Sequence, residues 1–133
     1  MSHHASASFK NVASESSIFD TPTEGPPLSS IIHHREFEGD LTGKSEATIQ
    51  ACLVSSDRFG YVGTDRFSGT VKERAGTFVF QHGGIRESGR LRPFGFIVAG
   101  SGTGDLAGIR GDILISVNPE GTHSIQLDYE FET

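Results

Sequence analysis

Residues 59–83 read FGYVGTDRFSGTVKERAGTFVFQHG, and this stretch decides the fold class. From Phe59 to Val71 the odd positions are mainly apolar residues or glycine, and the even positions are mainly polar. After the polar turn 72–75 the alternation resumes, with Phe78, Phe80 and His82 on one face. A period of two is typical of a β-strand that buries one face. The stretch therefore predicts two antiparallel strands joined by a short turn.

The same alternation recurs along the rest of the chain and predicts eight strands. The sequence has 17 glycines among 133 residues, which twisted β-structure tolerates better than helices do. Short links favour an antiparallel meander, and closure removes the exposed edges. The expected strands are Ala5–Val12, Leu28–Phe37, Leu41–Ser55, Phe59–Val71, Gly76–Gly83, Leu91–Ala99, Asp112–Asn118 and Ser124–Phe131.

These strands predict an all-β fold, a single closed eight-stranded antiparallel β-barrel over residues 1–133. Residues 1–4 are expected to be a frayed terminus. Residues 13–27 are rich in serine, threonine and proline, which predicts a long surface loop.

Composition restricts the partners and the compartment. The net charge of −6 argues against a nucleic-acid backbone as the main partner. No segment approaches the ~20 consecutive apolar residues of a membrane helix, and no basic start precedes an apolar run. The single cysteine, Cys52, cannot form an internal disulfide. We therefore expect a cytoplasmic protein with no membrane or nucleic-acid partner.

The segment 98–111, VAGSGTGDLAGIRG, carries a resemblance to a known family. Together with Gly69–Val71 and Gly76–Gly83 it resembles the bacterial domain-of-unknown-function 3224 family, over Phe9 to Phe131. The resemblance implies a barrel similar to that of allene oxide cyclase. The chain departs from the family in having no tryptophan, with Phe96 where the family often has one. The catalytic residues of the plant cyclase do not map onto this chain, so the resemblance implies a fold and no activity.

The glycines also predict local structure. Gly102 and Gly104 permit a sharp turn after the sixth strand, which would let Leu106 and Ile109 plug one end of the barrel. Three further glycines lie on otherwise apolar faces, where the absence of side chains would leave space inside the barrel and enlarge a cavity: Gly63, Gly69 and Gly95.

The main candidate site follows from which residues of two paired strands lie on the same face of the sheet. A two-residue turn at Glu73–Arg74 would place Phe67 opposite Phe80 and Asp65 opposite His82. A register shifted by two residues still leaves Asp65 diagonal to His82. In the preceding hairpin, a loop at 56–58 would pair Leu53 with Tyr61 and Ile49 with Asp65.

An Asp–His pair in an apolar interior has two interpretations. Desolvated ionisable groups are unfavourable unless they are paired, so the pair is either a structural tie or a working acid and base. The candidate catalytic residues are Asp65 and His82. The candidate ligand-binding residues are Tyr61, Asp65, Phe67, Phe80, His82 and Tyr129.

The remaining reactive residues predict little chemistry. His33 and His34 point to opposite faces of one strand, and no spacing matches a zinc site. No metal and no cofactor are therefore expected. Cys52 falls on the outer face of its strand with Thr48, Gln50 and Val54, and this mildly apolar surface predicts a homodimer.

Three functions remain open from the sequence. The first is a barrel that binds a small hydrophobic molecule in its interior. The second is a cofactor-free isomerase or cyclase in which Asp65 and His82 move a proton. The third is a structural or oligomer-forming protein with a solid core.

Overall fold

A computed structural model describes residues 2–132 as eight β-strands and one short 3₁₀ helix. The chain is all-β, and every strand pair is antiparallel. The strands are β1 (His3–Asp20), β2 (Leu28–Gly39), β3 (Leu41–Ser55), β4 (Arg58–Val71), β5 (Arg74–Glu87), β6 (Arg90–Ile97), β7 (Ile109–Val117) and β8 (His123–Phe131). The helix η1 spans Gly104–Leu106, between β6 and β7.

The eight strands follow one another in chain order within one sheet. Because β8 also pairs with β1, from His3↔Tyr129 to Phe9↔His123, the hydrogen bonding of the sheet forms a ring. The ring has the fewest paired residues between β6 and β7, which share only the pairs Phe96↔Asp112 and Ile97↔Gly111. Among residues 2–132, no helix has the length and apolar character needed to cross a membrane.

The predicted count and order of the strands are confirmed, and both ends of β3 match the prediction. Alternation was informative there because β3 exposes its even positions from Thr42 to Gln50 and buries the odd ones from Leu41 to Ala51, except for the half-buried Gly43. β1 shows no such alternation beyond Phe9, where all of its side chains through Asp20 are exposed.

The predicted surface loop 13–27 is wrong over more than half of its length. β1 continues to Asp20 and pairs with β2 as far as Asp20↔Leu28, so the loop spans only residues 21–27. Both faces of this part of β1 are exposed, including Ile18 and Phe19, so no alternation of apolar and polar residues marks it as a strand. The expected fraying of residues 1–4 is also wrong for His3 and His4, which pair with β8, whereas Met1 lies outside the described residues.

Two predicted registers are wrong by two residues. The turn between β4 and β5 lies at Lys72–Glu73, so Phe67 pairs with Phe78 and Gly63 pairs with His82. Between β3 and β4, Tyr61 pairs with Ala51 rather than Leu53, and Asp65 pairs with Ala47 rather than Ile49. A shift of two residues preserves the face of every side chain, so the predicted inner face is correct.

Burial of the inner face changes along the strands. On β4, Val71, Phe67 and Asp65 are buried, whereas Tyr61 and Phe59 are only half-buried. The same change occurs along β8, from the buried Leu127 and Ile125 to the half-buried His123, and along β7, where Val117 is 54% exposed. The ring therefore has a packed half, here called the closed end, and a half whose inner face is reached by solvent, here called the open end.

The glycine-rich segment after β6 covers the closed end as predicted. Leu106 of η1 and Ile109 are both fully buried, and the backbone N–H of Thr103 donates to the carbonyl oxygen of Thr77. Gly104 has φ +61, and a Cβ at Gly102 would collide with the carbonyl oxygen of Leu106. Gly102 is thus required for close approach, and Gly104 for its positive φ.

The glycines expected to enlarge an interior cavity do not do so. A Cβ at Gly63 would collide with Cδ1 of Ile49, and a Cβ at Gly95 would collide with Cγ1 of Ile113. A Cβ at Gly69 would collide with the backbone of Thr42. Because these positions have no side chain, a neighbouring isoleucine or strand can approach closely. The glycines therefore make the packing in the ring tighter rather than leaving space.

We predict that Gly102→Val and Gly104→Val each lower the free energy of unfolding by ~1–3 kcal/mol, because the first creates a backbone collision and the second strains a positive φ. Denaturant unfolding monitored by circular dichroism measures the change. The control is Gly60→Val, where the nearest atom to a new Cβ is Cγ1 of Ile85 at 3.7 Å. Equal stability of all three variants and the wild type would contradict this account of the segment.

Candidate functional site

The Asp65 carboxylate lies fully buried inside the ring and is held by three side chains. The Ser45 hydroxyl donates to Oδ2 at 2.7 Å, and Nε2 of His82 bonds Oδ1 at 2.8 Å. Nη1 of Arg35 donates to Oδ2 at 3.3 Å and lies 3.5 Å from Oδ1. These four residues, on β2, β3, β4 and β5, are called the Asp65 network.

Strand register brings the Asp65 network together. Asp65 pairs directly with Ala47 on one side and Phe80 on the other, so Ser45 and His82 are its diagonal neighbours. Arg35 pairs directly with Ser45 across β2 and β3. All four side chains lie on the inner face of the sheet. Four adjacent strands therefore each contribute one polar group to one point of an otherwise apolar surface.

Arg35 is the charge that compensates Asp65. Its side chain is 7% exposed, its Nε donates to Oδ1 of Asn11 at 3.1 Å, and its guanidinium carbon lies 4.9 Å from the ring centre of Phe9. Burial lowers the pKa of Arg35, and the adjacent Asp65 carboxylate opposes that change. A guanidinium remains charged in a protein, so the network contains a buried ion pair.

His82 has one occupied and one unoccupied nitrogen. Nε2 bonds Asp65, whereas the buried Nδ1 has no hydrogen-bond partner among residues 2–132. The ring lies 5.7 Å from that of Phe80, toward the closed end, and 5.7 Å from that of Tyr61, toward the open end. A carboxylate that accepts a hydrogen bond from Nε2–H selects the tautomer in which Nδ1 carries a lone pair.

Three further polar side chains line the open end above the Asp65 network. Burial raises the pKa of Tyr61, so its phenol stays protonated near neutral pH. Burial and the charge of Arg35 lower the pKa of both His33 and His123, which favours neutral imidazoles. Nδ1 of His33 also lies 2.6 Å from the Ser14 hydroxyl.

The residues proposed from the sequence are divided between the two ends. Asp65 and His82 are in contact, with Tyr61 beside them, and Phe67 and Phe80 are buried on the closed side. Tyr129 lies apart, at the closed end, where its ring is 5.8 Å from that of Phe131.

Sequence reasoning missed four polar residues of this region: Arg35, Ser45, His33 and His123. The sequence did hold a usable signal, because His33 and Arg35 are spaced by two residues from each other and from the apolar Phe37, while His34, Glu36 and Glu38 fall on the other face of β2. His33 and His34 lie on opposite faces of β2, as predicted, and His34 is the one that faces outward.

The outer face of the ring carries a separate apolar feature. A groove of about 310 Å³ lies on the solvent side of β1 to β6. Cys52 lies within it and is half-buried. The apolar side chains of the groove, here called the outer groove, include Phe19, Leu28, Val62, Ile85 and Phe94.

No group of three His, Cys, Asp or Glu side chains suited to a metal ion occurs in the described part of the chain.

Comparison with known proteins gives a family and a solved structure. The family model "protein of unknown function (DUF3224)" matches residues 5–129. A crystal structure of a DUF3224 family protein of unknown function from Shewanella oneidensis MR-1 is similar over 100% of this chain and 99% of that chain. Its TM-score is 0.86 and its sequence identity 26%. No curated protein matches the chain.

We predict that Asp65→Leu lowers the free energy of unfolding by about 3–5 kcal/mol, because it leaves the buried Arg35 charge without a partner. Adding His82→Phe should not restore stability, since the guanidinium is still unpaired. Adding Arg35→Met instead should restore most of the loss. Urea unfolding of the single and double variants measures the coupling.

The matched control is an exposed ion pair, Arg110–Glu130, whose charged atoms are 3.0 Å apart. Glu130→Gln should change the free energy of unfolding by less than about 1 kcal/mol, because exposed pairs are screened by solvent. Recovery of Asp65→Leu by His82→Phe rather than by Arg35→Met would show that Arg35 is not the compensating charge.

Proposed function

Because the chain belongs to the DUF3224 family, whose function is unknown, we propose its function from its own side chains: it binds a small, largely apolar molecule at the open end. The finer fold proposed with it is a closed barrel like that of allene oxide cyclase. The ligand would sit against the half-buried inner face, and its polar atom would reach the Asp65 network.

The observation that carries this proposal is the exposure of inward-facing side chains above the network. Ile31, Tyr61, Ile115 and His123 share the inner face with core residues of their strands, yet all four are only half-buried. Apolar walls with a few convergent polar groups are typical of small-molecule sites. A solid structural core would have buried these positions as fully as Phe67 or Leu127.

The unpartnered nitrogen of His82 supports the same proposal. Buried polar atoms in native proteins are nearly always hydrogen-bonded, and an exception calls for a physical reason. A ligand that supplies the missing partner to Nδ1 gives that reason. Tyr61, on the open side of His82, is the neighbour that such a ligand would pass.

A second candidate function follows from the Asp65–His82 arrangement. A carboxylate that orients one imidazole nitrogen leaves the other nitrogen able to accept a proton from a substrate. The chain would then be a cofactor-free isomerase or cyclase, with the apolar wall holding the substrate in a reactive shape. Turnover without added metal or nucleotide separates this function from simple binding.

We predict that the wild-type protein binds the neutral fluorophore N-phenylnaphthylamine, and that His123→Trp weakens the affinity by about tenfold or more. The indole would occupy the open end, where His123 is half-buried. Fluorescence titration of both proteins measures the dissociation constants.

The control variant is Ile85→Gln, which alters the outer groove but not the inner face. Its affinity should equal that of the wild type. If Ile85→Gln weakens binding and His123→Trp does not, the probe occupies the outer groove and the proposed site is wrong.

We further propose that the chain is a homodimer that contacts its second copy through the outer groove. Val62, Ile85 and Phe94 are each about half exposed there, at 53%, 51% and 48%, and contiguous apolar patches on an outer surface mark contact sites. Light scattering is expected to give about twice the chain mass of 14.3 kDa.

Val62→Glu should convert this dimer to a monomer, because it places a charge in the contact. Leu114→Glu, on the outer face of β7 and away from the groove, should leave the dimer intact. A monomeric wild-type protein at high concentration would contradict the proposed assembly.

A further inference from the structure

We infer that the ligand of the open end is a weak organic acid, such as a phenol, an enol or a carboxylic acid, whose hydroxyl group donates to Nδ1 of His82. This inference rests on the proposed function, because it assigns the ligand's chemistry at the same site. It depends on the hydrogen bonds and charges of the Asp65 network.

The hydrogen bonds of Asp65 determine what His82 can accept. A guanidinium can only donate, so Arg35 requires Asp65 to be an acceptor. Ser45 approaches Oδ2 and His82 approaches Oδ1, at 2.7 and 2.8 Å. With the carboxylate accepting from both, Nε2 of His82 carries a proton, and in the neutral imidazole Nδ1 is then an acceptor. The partner that Nδ1 lacks is therefore a hydrogen-bond donor.

The charges of the inner face exclude a cationic donor. Asp65 is the one carboxylate on the inner face of strands within residues 2–132, and the Arg35 guanidinium, 3.3 Å away, already neutralises it. A ligand cation would find no free counter-charge, and desolvating it would be unfavourable.

The other titratable groups that face this region do not change that balance. Tyr61 on β4 is a neutral phenol, and His33 on β2 and His123 on β8 are neutral imidazoles near pH 7 because burial shifts their pKa values. Arg86 on β5 lies farther out, with its guanidinium carbon 5.9 Å from the ring centre of Phe59. The inner face is thus neutral to positive, which favours a ligand that is neutral or becomes anionic.

An acidic hydroxyl fits this environment better than an alcohol. Its O–H bond can break with transfer of the proton to Nδ1, while the oxygen keeps the electron pair. His82 then becomes an imidazolium whose Nε2–H still donates to the Asp65 carboxylate, and charge-assisted hydrogen bonds are the stronger kind. The transfer involves no oxidation and needs no further reactant.

The test compares para-nitrophenol with para-nitroanisole, in which a methyl ether replaces the acidic hydroxyl. The wild-type protein should bind the phenol more tightly by on the order of tenfold or more, the range for a hydrogen bond to a charged group. At a pH where free para-nitrophenol is mostly protonated, the bound compound should show the absorption band of the phenolate.

The decisive variant is His82→Gln. The glutamine amide can still donate to Asp65, but it has no basic nitrogen in the place of Nδ1. It should bind both compounds with the affinity of para-nitroanisole and abolish the phenolate band. His34→Gln, the same substitution on the outer face of β2, should retain the wild-type preference.

A measurement on the wild type covers the case in which His82→Gln does not fold. Titration with para-nitrophenol should shift the ¹⁵N resonance of Nδ1 of His82 from that of an unprotonated to that of a protonated nitrogen. An unchanged resonance at saturation would overturn the inference.

The remaining outcomes separate this inference from the proposed function. Equal affinity for the two nitro compounds, or failure of both while N-phenylnaphthylamine binds, overturns the acidic ligand and leaves the binding function standing. A preference for the phenol that survives in His82→Gln overturns the assignment to Nδ1. If none of the three compounds binds, both proposals are wrong.

Discussion

The buried carboxylate of Asp65 is the constraint on which the rest of this structure depends. A carboxylate with no solvent contact requires donors from several directions, and here they come from β2, β3 and β5. Each donor is available only when its strand holds one register, because a shift of one residue would turn Arg35, Ser45 or His82 outward. The Asp65 carboxylate therefore keeps its hydrogen-bond donors only when all four strands hold their registers.

The network also marks the boundary between the two halves of the ring. On the closed side the inner face is filled by aromatic and aliphatic side chains, with Leu106 inserted from η1. On the open side the same strands carry half-buried side chains, among them Tyr61 and His123. A charge pair at this boundary keeps its polar atoms within reach of a molecule that enters from solvent, which is where binding energy and proton transfer would be used.

Much of the candidate site was predictable from the sequence, and the missing part has a physical explanation. The parity of β4 and β5 predicted that Asp65 and His82 share a face, because alternation is local and survives a register error of two residues. Arg35 and Ser45 were not predicted. A lone arginine on a strand of mixed polarity is normally exposed, and its burial depends on which strand lies beside it and how far that strand is displaced.

The sequence by itself determined the strand class, the strand order and the inward side of the strands with clear alternation, such as β3, β4, β5 and β8, since these follow from a period of two and short links between strands. It also determined that Gly102 and Gly104 precede a plug. Only the tertiary structure decided that β1 extends to Asp20, because cross-strand pairing rather than apolar alternation holds that segment. Only it decided that Gly63 and Gly95 make room for Ile49 and Ile113, and that Arg35 compensates Asp65. These outcomes depend on contacts between residues far apart in the chain, which local pattern does not encode.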